Sequence, residues 1–120
     1  MHFRGIKRYV EIAGMAICLA TTGCKSKYVE ADVMNAGPAP VSLVEVDYPS
    51  ASFGVESLAP AARYHYRFKI LGSGATKVIW TDAGRKEHTV AGPALDEGQE
   101  GTLVITLNGD SAAWTKDLRP

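Results

Sequence analysis

The sequence predicts an all-β protein with a single β-sandwich of about six to eight antiparallel strands, and three observations predict it. From Arg63 to Ile70, Tyr64, Tyr66, Phe68 and Ile70 alternate with Arg63, His65, Arg67 and Lys69. Aromatic and β-branched residues at period two mark a strand with one buried face. Shorter alternating runs recur along the chain, separated by Gly, Pro, Asn and Asp, the spacing of a sandwich. No segment beyond residue 27 carries a helical period.

Residues 1–23 stand apart. Arg4, Lys7 and Arg8 precede an uncharged stretch from Ile12 to Leu19, IAGMAICL. A basic start followed by a short apolar run is the pattern of a secretory signal; a spanning helix needs about 20 apolar residues. The stretch ends in Thr21-Thr22-Gly23-Cys24, which resembles the lipobox of bacterial lipoprotein signal peptides. That resemblance implies cleavage between Gly23 and Cys24 and a lipid-bearing Cys24. The family usually has Leu three residues before the cysteine, where this chain has Thr21. The resemblance also implies several acyl chains on the cysteine, and anchoring by more than one chain is stable. Lys25 stands where an Asp would imply retention in the inner membrane, so the expected destination is the outer membrane, facing periplasm or cell surface. The expected division is a signal at 1–23, a lipidated tether at 24–27 and a sandwich at 28–120.

Within the sandwich, Tyr28 to Met34 alternates Val29, Ala31 and Val33 with Glu30 and Asp32. Asn35 to Pro40 is turn chemistry, because proline removes donors and glycine permits positive φ. Val41 to Tyr48 sets Val44, Val46 and Tyr48 against Glu45 and Asp47. Ser50 to Phe53 is ambiguous. The patterned segment from Ala62 to Leu71 follows, then Thr76 to Thr81 with Val78 and Trp80 on one face. Asp82-Ala-Gly84 predicts a hairpin into Lys86–Val90 with glycine in the left-handed position. Thr102 to Leu107 alternates Leu103, Ile105 and Leu107, and Ala112 to Thr115 closes the chain as a short strand.

Val33-Met-Asn35-Ala-Gly37, Pro40 to Val46, and Leu58-Ala-Pro60 ahead of Tyr64 resemble an immunoglobulin-like module. They are similar to the CARDB type found on bacterial surface proteins and, in the Leu-x-Pro…Tyr spacing, to fibronectin type III modules. These families usually place Gly after that proline; here it is Ala61. The resemblance implies an immunoglobulin-like sandwich and leaves function open.

Composition narrows function by exclusion. Thirteen basic and thirteen acidic residues in 120 give no net charge, so nothing argues for nucleic acid. Cys18 leaves with the signal and Cys24 carries lipid, so no disulfide is expected. His65 and His88 with Met34 are the candidates for a soft-metal site, but they lack ligand spacing and no metal or cofactor is expected. No serine lies in a Gly-x-Ser-x-Gly turn. Asp96, Glu97 and Glu100 read as a solvated loop, since a calcium loop needs more oxygen ligands at regular spacing. Trp80 and Trp114 read as core.

Arg63, His65, Arg67 and Lys69 form a basic row on one face, with neighbours about 6.6–7 Å apart. The row either contacts an anionic envelope surface or is a solvated sheet face balanced by Glu45, Asp47 or Glu87. The expected function is that of a membrane-anchored envelope lipoprotein with a non-catalytic binding or structural role. The alternatives are a periplasmic hydrolase or carbohydrate-active accessory protein, or a soft-metal carrier. The expected partners are the membrane, through Cys24, and an anionic envelope polymer or protein.

Overall fold

The computed structural model describes residues 27–120. The signal peptide, its cleavage after Gly23 and the Cys24 lipid site lie outside the described residues.

Eight strands form two four-stranded sheets: β1 (Val29–Asn35), β2 (Val41–Tyr48), β3 (Ala51–Leu58), β4 (Arg63–Phe68), β5 (Lys77–Thr81), β6 (Glu87–Ala91), β7 (Glu100–Asn108) and β8 (Ser111–Arg119). One sheet has the order β4-β1-β7-β8 and the other β3-β2-β5-β6. The predicted β-sandwich is therefore present. One part of the expectation is corrected: β1 and β7 pair in parallel, Val29 with Gly101 through Asn35 with Leu107. Both strands leave the same end of the sandwich, and the whole stretch from β2 to β6 is the crossover that parallel neighbours require.

Val29, Ala31 and Val33 of β1 and Leu103, Ile105 and Leu107 of β7 are buried against Val44, Val46, Val78 and Trp80 of the facing sheet. The alternation read in the sequence is thus the in-out alternation of the two inner faces. At the β3–β4 margin an aromatic cluster closes the core. The rings of Phe53 and Tyr66 stack with centroids 4.5 Å apart, and those of Tyr48 and Phe68 lie 4.0 Å apart.

Of the ambiguous stretch, Ser50 is a turn residue at φ 83 and Ala51 to Phe53 begin β3. Leu43, at φ 51, sits where the β2–β5 register shifts between Ser42 and Glu45. A Cβ at Gly54 would collide with the Val44 carbonyl, so glycine admits β2 to β3 at this bulge. The β5–β6 hairpin forms, but its left-handed residue is Arg85 at φ 68 rather than Gly84. Asp82 Oδ1 accepts from Gly84 N at 2.8 Å and Lys86 N at 3.0 Å, and Arg85 N donates to Asp82 O at 2.9 Å. These bonds place the turn around 82–85 and leave position 85 to reverse the chain.

The turns at 36–40, 59–62, 82–86 and 109–110 share one end of the sandwich. Buried Asn35 organises that end. Its Nδ2 donates to the Ala39 and Leu58 carbonyls, both at 2.9 Å, and its Oδ1 accepts from Gly37 N at 3.0 Å. The chain enters at the opposite end, where Val29 pairs with Phe68.

Candidate binding surface on the β1–β4 face

Period two carries Glu30, Asp32 and Met34 to the outer face of β1 and Arg63, His65 and Arg67 to the outer face of β4. The register sets Glu30 opposite Arg67 and Asp32 opposite His65. Arg63 Nη1 lies 3.4 Å from Asp32 Oδ2, and Arg67 Nε 3.1 Å from Glu30 Oε2. Between them His65 Nδ1 is 2.9 Å from Asp32 Oδ1 and Nε2 is 2.8 Å from Glu30 Oε1. The five side chains make one alternating chain of charge: Arg63, Asp32, His65, Glu30, Arg67.

A neutral imidazole has one N–H and cannot donate to two carboxylates. The geometry therefore suits the imidazolium, and the hydrogen bonds it donates to Asp32, then Glu30, raise the His65 pKa above its ordinary 6.5. All five groups are partly exposed, so solvent screens each pair and its contribution to stability is small. The counter-charges expected on Glu45, Asp47 or Glu87 are corrected to Glu30 and Asp32. The former three lie in the other sheet, and Asp47 pairs instead with Lys77 at 3.8 Å.

The row ends at Lys69, beyond β4. Its Nζ lies 5.3 Å from the centroid of the Tyr28 ring, and the Arg67 guanidinium lies 4.1 Å from the same centroid. Both are within cation–π range. Lys69 forms no ion pair among the described residues. Sequence reasoning overlooked Tyr28 because its place beside the row follows from the β1–β4 register.

The soft-metal candidates are not brought together. His65 is on β4 and His88 on β6, in different sheets, while Arg63 Nη2 approaches Met34 Sδ at 3.9 Å. His88 is mostly buried: it packs on Trp80 and its Nε2 lies 2.7 Å from Asp82 Oδ2. That bond, ahead of the one from Lys86 N, holds the Asp82 carboxyl below its usual range. Among the described residues no group of three or more His, Cys, Asp or Glu side chains is placed to hold a metal ion.

Asp96 and Glu97 lie in a turn closed by Asp96 N to Gln99 Oε1 and Glu97 N to Ser73 Oγ, and Glu100 pairs with Arg119. Trp80 is core and donates to Gly109 O at 3.0 Å. Trp114 is half-buried, and its indole N–H has no hydrogen-bond partner among the described residues.

A shallow open groove of about 400 Å³ lies over β2 and β3, bordered by Leu43, Glu45, Ser52, Gly54 and Glu56. A hydrogen bond to Asp47, and the Asp47 charge, raise the Glu45 pKa. The groove was invisible in the sequence because the bulge at Leu43 and the β3 strand create it.

No protein-family model matches this chain, and no curated protein matches it. An NMR structure of a protein from Eubacterium rectale is similar, with a TM-score of 0.55 at 12% identity, over 74% of this chain and 87% of that one. The likeness is one of fold.

Proposed function

We propose that the chain is a lipid-anchored protein of the bacterial cell envelope whose immunoglobulin-like sandwich has a non-catalytic binding or structural role. The observation that carries the reading is the lipobox-like Thr21 to Cys24 only four residues ahead of Tyr28, where the domain begins. The position of Lys25 supports the outer membrane as the destination. Entry of the chain at one end leaves the four turns around Asn35 at the far end, directed away from the membrane.

Within this reading, the anionic envelope contact of Arg63, His65, Arg67 and Lys69 narrows. Glu30 and Asp32 already occupy the first three, so an external anion would compete with them. Lys69, with Arg67 beside it, is the part of the row best placed for such a contact.

A hydrolase would have to draw on the carboxylates at the β2–β3 groove. The carboxylates that border it are Glu45 and Glu56, and Asp47, whose charge raises the Glu45 pKa, is itself paired with Lys77 at 3.8 Å. The groove is also open, which favours a binding role over catalysis.

Detergent partitioning and mass spectrometry of the native protein test the proposal. Wild type enters the detergent phase with diacylglycerol on Cys24, and Cys24→Ser remains an unprocessed precursor. A free Cys24 thiol within an intact precursor overturns it.

A further inference from the structure

Leu71 and Leu43 are the large apolar side chains left exposed among the described residues, and Leu71 is 63% exposed. Leu71 follows β4 at the end where the chain enters the sandwich. Because Val29 pairs with Phe68, this register gathers Tyr28, Arg67, Lys69 and Leu71 at that end. Tyr28 lies under the cationic groups of Arg67 and Lys69. Leu71 thus shares this end with two cations and an amphipathic ring, the combination that occupies a membrane–water boundary.

We propose that this end of the domain is a second membrane contact, in which Leu71 enters the headgroup–acyl boundary while Lys69 meets lipid phosphates. The inference rests on the lipid-anchor reading and names the bilayer as the partner of the Lys69 end of the row. Four residue steps separate Cys24 from Tyr28, and an extended chain of that length spans about 14 Å at most. A lipid on Cys24 therefore holds Tyr28 at headgroup distance, and the high local concentration makes even a weak contact effective. Among the acidic residues at this end, Glu30, Asp47 and Glu100 are paired with Arg67, Lys77 and Arg119, while Asp96, Glu97 and Asp117 oppose the contact and Lys27 and Lys69 favour it. Docking in this way fixes the orientation of the sandwich and leaves the 36–40 and 82–86 turns outermost.

The test uses the full chain, processed in a bacterial host and reconstituted in vesicles of phosphatidylethanolamine and phosphatidylglycerol. Processing removes Cys18 and caps Cys24, so Leu71→Cys or Arg85→Cys carries a single fluorophore at one end or the other. Spin-labelled lipids quench the position-71 probe several-fold more than the position-85 probe, and adding Lys69→Glu reduces that difference. In the unlabelled protein, hydrogen exchange at residues 69–73 slows in vesicles, and Leu71→Glu restores it. Vesicle-bound protein with equal quenching at both positions and unchanged exchange overturns the docking and leaves the anchor standing. Wild type that fails to cosediment with vesicles overturns both.

Discussion

The rings of Tyr48 and Phe68 lie with centroids 4.0 Å apart and bridge the two sheets at their β3–β4 margin. Phe68 is buried and also faces Phe53 and Tyr66. Removing its ring leaves a cavity that the facing strands cannot fill without losing register. Phe68→Ala is expected to cost about 3–5 kcal/mol, a large part of a typical domain stability of about 5–15 kcal/mol. Denaturant unfolding measures it, and a loss below about 1 kcal/mol would reverse the assignment of the β4 faces.

Gly92 and Trp114 are similarly interdependent. A Cβ at Gly92 would come 2.5 Å from Trp114 Cε2 and would also collide with Thr76 Oγ1. The backbone there is the platform on which the indole rests. Gly92→Ala is expected to cost about 1–3 kcal/mol through overpacking and to shift the tryptophan emission. An unchanged spectrum at unchanged stability would show that the indole has another resting place.

These packing relationships mark the limit of what the sequence made legible. The seven segments recognised as strands all form strands, because alternation records directly which residues face the core. β3 was obscure because ASFGVESL places Gly54 at the bulge and Glu56 and Ser57 ahead of inward Leu58, which interrupts period two. The basic row was legible and its partners were not. Strand neighbours are set by topology, and β1–β4 pairing spans two intervening strands of the other sheet. The burial of Asn35 was hidden for the same reason: its carbonyl partner Leu58 is 23 residues away.

Two non-glycine residues carry backbone strain at the far end. Ala61 has φ 67 and Arg85 has φ 68. The left-handed region costs an L-residue about 1–2 kcal/mol, and glycine gives back about 0.4–1 kcal/mol through the freer unfolded chain. Ala61→Gly and Arg85→Gly are each expected to stabilise the protein by about 0.5–1 kcal/mol. A higher thermal midpoint for both variants is the expected result, and a lower one would mean that the side chain at that position makes a contact outweighing the strain.

The pH dependence of stability should carry the signature of His65. Asp32, then Glu30, hold the imidazolium and raise its pKa above 6.5, while Arg63 and Arg67 flank the same two carboxylates. In the unfolded chain the group returns to about 6.5. A raised folded pKa means that the native state binds the proton more tightly, so the contribution is complete below about 6.5 and disappears as pH rises through the folded value. Because the ring is half exposed, the amplitude is small. The measurement is the denaturation midpoint of wild type and His65→Gln from about pH 5 to about pH 9. The advantage of wild type over the variant should shrink as pH rises beyond 6.5, and NMR titration of the ring should show the raised pKa directly. An advantage that grows with pH would mean that His65 is held as the neutral imidazole, with only one of the two carboxylates as its partner.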